Sequence, residues 1–181
     1  GAFVGAFSAL IFHIAAYMFA TPIAILFAIA AGLLITGAFH EDGLADTFDG
    51  IGGGVTRERA LEIMKDSRLG TYGTLALMIA LALKIGALMS LPSTLIPVAL
   101  VAGHGLSRLS SLLVIATSCY VRDEGTGKPV AGGISTAGLL VAGLTGLAIV
   151  ALWWAFYAPV ALLRASGGLL FGHGLMRLFF E

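Results

Sequence analysis

Asp42, Asp46 and Asp49 recur at i, i+4 and i+7 within HEDGLADTFDGIGGGVTRERALEIMKDSRLG, the segment His40 to Gly70. On a helix this spacing puts three carboxylates on one face. Like charges so stacked repel, and a helix gains nothing from them. A divalent cation reverses the sign of the interaction, because hard cations take oxygen ligands. Seven of the ten acidic residues fall in this segment: Glu41, Asp42, Asp46, Asp49, Glu58, Glu62 and Asp66. A solvated juxtamembrane loop is the plain alternative, but such loops interleave lysines and lack a one-face register.

The neighbouring residue types suit phosphate. Folding back over Gly52, Gly53 and Gly54 could bring Asp66 to the Asp42–Asp46–Asp49 face, giving four carboxylates for one or two Mg²⁺. Otherwise Asp66 is an exposed partner of Arg59 or Arg68. Arg57, Arg59, Lys65, Ser67 and Arg68 supply cations and a hydroxyl, and guanidinium binds phosphate oxygens bidentately. Singly, each cation is a solvated or headgroup contact, and the cluster is the signal. Further on, His104, Ser107 and Arg108 share a face of an apolar span. An unpaired guanidinium there costs about 2.5–3.5 kcal/mol on insertion scales, so Arg108 needs a partner, either a substrate diphosphate or a structural one. Lys84 reads as snorkelling or structurally paired, and His13 and His173 as structural. His40, beside the acids, is a weak ligand or base candidate. EGTGKPVAGG, with Lys128, is not a Walker A loop, since Pro129 follows the lysine. It reads as a mobile substrate loop or a membrane-surface connection.

The elements that must hold these groups are apolar helices. The chain is 59% hydrophobic and 11% charged over 181 residues, with mean hydropathy +1.01. Soluble domains carry about 25% charge, so the class is an all-α polytopic membrane bundle. Spans are expected at about 1–20, 23–39, 72–91, 95–117, 134–157 and 158–180, six in all. The acidic helix should continue from the second span until the glycines break it. Thr56 should cap a short helix, 57–69, ended by Gly70. Trp153, Trp154 and Tyr157 suggest an interfacial belt. The whole of 1–181 reads as a single transmembrane catalytic domain. The chain opens without Met inside one apolar run and ends just after another, so both ends look cut.

A formal net charge of zero gives no basis for nucleic-acid binding, and the single cysteine, Cys119, excludes an intrachain disulfide. If the spans alternate, Arg57, Arg59, Lys65, Arg68, Arg122, Lys128 and Arg177 share one side, with only Arg164 on the other. That bias places both polar segments in the cytoplasm. Nothing sets the oligomeric state, and a homo-oligomer stays open.

The string HEDGLADTFDGIGGG followed by RERALEIMKDSRLGTYG closely resembles the cobalamin synthase family, the adenosylcobinamide-GDP ribazoletransferases. AGHGLSR and YVRDEGTGKP are similar to that family too. The resemblance implies a Mg²⁺-dependent enzyme of the bacterial inner membrane, in contact with the lipid bilayer. Such an enzyme joins adenosylcobinamide-GDP to α-ribazole or its phosphate and releases GMP. The family-like acids are Glu41, Asp42, Asp46, Asp49 and Asp66. The family usually continues past Glu181 into a GGxTGD segment and a last span. The general base is unassigned, and an unligated carboxylate such as Asp49 could serve. The spacing Asp46-x-x-Asp49-Gly50 is also similar to the CDP-alcohol phosphotransferases, but their Ala-Arg step after the glycine is missing. A cation transporter is the alternative of another class. It would place its ionisable groups near the midplane rather than beside arginines at one face.

Overall fold

A computed structural model describes residues 1–117 and 134–156. They form α1 (Ala2–Ala16), α2 (Thr21–Thr36), α3 (Phe39–Gly53), α4 (Arg57–Ile63), α5 (Thr71–Met89), α6 (Ile96–Thr117) and α7 (Thr136–Phe156), with a 3₁₀ turn at Ser93–Leu95. No strand occurs among the described residues. Two helical stretches, Thr71–Met89 and Ser93–Thr117, are long and apolar enough to cross a membrane. A third candidate is α2 with α3, if that bent pair counts as one span. The expected sixth span lies outside the described residues, as do the 120–133 segment and the side chains of Trp154 and Tyr157.

The acidic helix does not run straight on from the second span. α2 stops in a Schellman pattern, with Ala38 N–H donating to Leu33 O (2.9 Å) and Gly37 N–H to Leu34 O (3.3 Å). Gly37 and Ala38 are both left-handed, at φ 61° and 54°. Glycine adopts that conformation freely, whereas alanine pays about 1 kcal/mol for it. The chain then turns 86° into α3.

Contacts divide the chain into two compact units. In Phe7–Pro97, α2 buries Ala24, Ile25, Ala28, Ile29 and Gly32. α3 packs on both α4 and α5, and α2 packs on α5. The outer face of α5 leaves Leu75, Met78, Ile79 and Leu83 more than half exposed. The other unit comprises Gly1–Ala6 and Val98–Glu181. There α6 and α7 interlock: Ile149 sits over Gly105, and Leu109 over Gly146.

Candidate active site

α3 carries the acidic face in the expected register. Glu41 and Asp42 lie in its first turn, where negative charge complements the helix dipole. The three aspartates differ in environment along the helix: Asp42 is exposed, Asp46 half-buried and Asp49 buried. Glu41 Oε2 is buried with no hydrogen-bond partner among the described residues.

Asp49 is built into the junction with α5. Its Oδ2 accepts the Gly70 N–H (2.7 Å) and its Oδ1 the Gly73 N–H (2.8 Å). Gly70 is the N-cap of α5 and Gly73 its third residue. In a capping box these two amides are satisfied by two side chains of the same helix. Glycine has no side chain to do so, and one carboxylate from α3 serves both. A Cβ on either glycine would fall on the Asp49 carboxylate. Sequence reasoning marked Asp49 but missed its partners. The available signal was a helix start, GTYG, with no capping side chain of its own.

The short helix begins where expected, with Thr56 Oγ1 accepting the Arg59 N–H at 3.3 Å. It ends at Ile63, not Leu69. Asp66 takes the Arg68 backbone N–H at 3.1 Å, a local bond that competes with helix, and also the Arg68 guanidinium, at 2.6–3.0 Å. Asp66 is thus the partner of Arg68, whose hydrogen bonds hold its carboxyl below the ordinary carboxylate range. α4 does fold back on α3, with Met64 and Ala60 against Gly50. Arg57, Arg59, Lys65, Ser67 and Arg68 are all exposed, and Arg59 pairs with Glu62 at 2.6 Å.

Among the described residues, no three His, Cys, Asp or Glu side chains converge on a cation-sized site. That geometry does not suit an all-protein cage such as Ca²⁺ requires. Mg²⁺ is usually held by one or two carboxylates, with substrate phosphates and water completing the octahedron. Asp42 and Asp46, one turn apart and less buried than Asp49, are the side chains that fit that role.

In the other unit, His104 is buried and Arg108 half-buried. Arg108 Nη1 lies 3.1 Å from His104 Nδ1 and donates to His104 O at 3.4 Å. Ser107 Oγ donates to the same carbonyl at 3.2 Å. Arg108 also lines a cavity of about 190 Å³ with Gly105, Leu109, Leu112, Thr145 and Gly146. Lys128 lies outside the described residues.

The sequence model described as cobalamin-5-phosphate synthase matches residues 1–180. An adenosylcobinamide-GDP ribazoletransferase of Shewanella halifaxensis is 44% identical over 188 aligned positions, covering 99% of this chain and 70% of the relative. The enzyme of the same name from Shewanella woodyi is 42% identical, over 98% of this chain and 67% of its own. That of Shewanella frigidimarina is 52% identical over 71% of this chain and 50% of its own. No solved structure matches the chain. A match of this extent, on a chain whose acidic motif forms one helical face, means that the chain belongs to the cobalamin-5-phosphate synthase family.

Proposed function

We propose that the chain is an adenosylcobinamide-GDP ribazoletransferase of vitamin B12 biosynthesis. The observation that carries this is the 44% identity to a relative of that name across 99% of the chain, which includes the acidic face of α3. A ribose hydroxyl of α-ribazole, or of its 5′-phosphate, attacks the phosphorus attached to cobinamide. A new P–O bond forms, the bond to the departing phosphate breaks, and GMP leaves. The hydroxyl proton passes to a base. The products are adenosylcobalamin, or its 5′-phosphate, and GMP.

Such transfers need positioning and charge neutralisation more than covalent help from the protein. A Mg²⁺ arriving on the diphosphate and held by Asp42 and Asp46 would neutralise charge developing on the leaving group. Glu41, one residue before Asp42, adds negative charge at the same end of α3. The exposed cations Arg57, Arg59, Lys65 and Arg68 draw in the nucleotide phosphates. In the other unit, Arg108 beside His104 is a guanidinium of the kind that binds phosphate oxygens bidentately.

The protein works in the bacterial inner membrane, crossing it about six times, with its polar segments in the cytoplasm. Supporting this are the seven cations against one on alternate sides and the apolar outer face of α5. The bend after α2 supports a helix lying along the membrane surface. On α3, Phe48 and Ile51 are exposed on the side roughly opposite the acids, where lipid would cover them.

The test is to supply the purified protein with adenosylcobinamide-GDP, α-ribazole and Mg²⁺, and to measure GMP and cobamide together. Equal amounts of both are expected. GMP without cobamide would make the protein a hydrolase and sink the assignment, as would the absence of both.

A further inference from the structure

We infer that Asp49 is a positioning residue, a cap supplied from α3 that fixes the acidic face against the start of α5. The inference rests on the proposed function only for its activity readout. Both Asp49 oxygens accept backbone amides, those of Gly70 and Gly73, which lie 21 and 24 residues away in sequence. The residue is 8% exposed. Its negative charge sits at the positive end of the α5 dipole, and α5 provides no capping side chain of its own. The backbone closes on the carboxylate so tightly that a Cβ at Gly70 or Gly73 would fall on its atoms, and one at Gly73 would also crowd Ala45 O. This seat excludes any residue but glycine on the α5 side. Asp46 and Asp42 are three and seven residues earlier on the same face. Any change in how Asp49 seats therefore rotates or lifts both of them relative to α5.

A ligand and a cap respond differently to substitution. Asp49→Asn keeps one acceptor oxygen but turns an NH₂ toward an amide donor, which breaks one bond and adds a repulsion. Gly73→Ala leaves the carboxylate chemistry untouched and removes its seat. If Asp49 is a cap, both variants should lower turnover by about 100-fold, the scale of a misplacement near 1 Å. Both should leave the half-saturating Mg²⁺ concentration unchanged. The double variant should be no worse than the poorer single, because both break one device.

The decisive readout needs no substrate. Amide hydrogen exchange at the start of α5, measured in detergent without Mg²⁺, should accelerate in both variants and not in Asp42→Asn, whose carboxylate is exposed. Accelerated exchange therefore stands even if adenosylcobinamide-GDP proves not to be the substrate, in which case only the proposed function fails. Unchanged exchange in Asp49→Asn, together with a raised Mg²⁺ requirement, would make Asp49 a ligand and overturn the inference. Should Asp49→Asn not accumulate as folded protein, Gly70→Ala carries the same comparison. The three atoms nearest its Cβ all belong to the Asp49 carboxylate.

Discussion

Asp49 and Asp66 belong to one acidic segment, and both carboxylates accept N–H donors. Asp49 is buried and binds backbone amides 21 and 24 residues away. Asp66 is only partly covered, its side chain 38% exposed, and binds Arg68 two residues away. The first contact ties two helices together in an environment with little water to replace it. The second orders a turn, and water or an incoming phosphate can replace either partner at little cost. One residue type, in one segment, thus serves as a fixed internal strut and as an exchangeable surface contact. The difference divides the segment's work. Rigid placement belongs to the α3–α5 junction, and charge that can regroup around a substrate belongs to the turn after α4.

The largest effect that would sharpen this division is expected at Asp46, half-buried on the same face three residues before Asp49. Asp46→Asn preserves size and removes charge. We expect kcat to fall by about 1,000-fold, the scale of a lost metal contact in phosphoryl transfer. Retained turnover with the same Mg²⁺ dependence would remove Asp46 from the metal site.

Arg108 offers a polar contact of a third kind, within one helix. Arg108→Lys keeps the charge and loses the fork that reaches both His104 and an anion. The expected loss is about 10–100-fold in kcat/KM, the range of one charge-assisted hydrogen bond, with normal insertion. Lower thermal stability with unchanged kinetics would assign Arg108 a purely structural role.

How legible each region was follows from the range of its contacts. α5 and α6 begin and end within about two residues of expectation, because apolar length is a local property. The three-aspartate face was legible for the same reason: periodicity on a helix needs only the sequence. The 86° turn was not: Gly37 marks a helix end, but the turn also needs Ala38 in a left-handed conformation that alanine rarely takes. The early end of α4 depends on the Asp66 carboxylate choosing the Arg68 amide over continued helix. The Asp49 cap was hidden most deeply. Its donors are main-chain groups of glycines, which present no side chain to a pattern search.

The side of the membrane on which α4 and its flanking turns lie can be probed by labelling at its N-cap, Thr56. With Cys119 replaced by Ser, a cysteine introduced at Thr56 should react with an impermeant thiol reagent only from the cytoplasmic side. Reaction from outside would invert the topology and remove the nucleotide-facing role of Arg57 to Arg68.

The smallest effect is expected at Asp66. Its carboxyl lies below the ordinary carboxylate value, first through the side-chain bond from Arg68 and then through the Arg68 backbone N–H. A depressed carboxylate contributes stability that is fully present above its unfolded value and is lost as pH falls through its folded one. At neutral pH the contribution is in force but exposed, so Asp66→Asn should shift Tm by under about 2 °C. Parent and variant should converge as pH falls through the folded carboxylate value, below which both side chains are neutral. Added salt should narrow the gap at pH 7, because exposed pairs are screened. At the buried junction, salt should leave the difference between Asp49→Asn and the parent nearly unchanged. A Tm loss at Asp66 as large and as insensitive to salt as that at Asp49 would show that both carboxylates are internal struts, and would break the comparison.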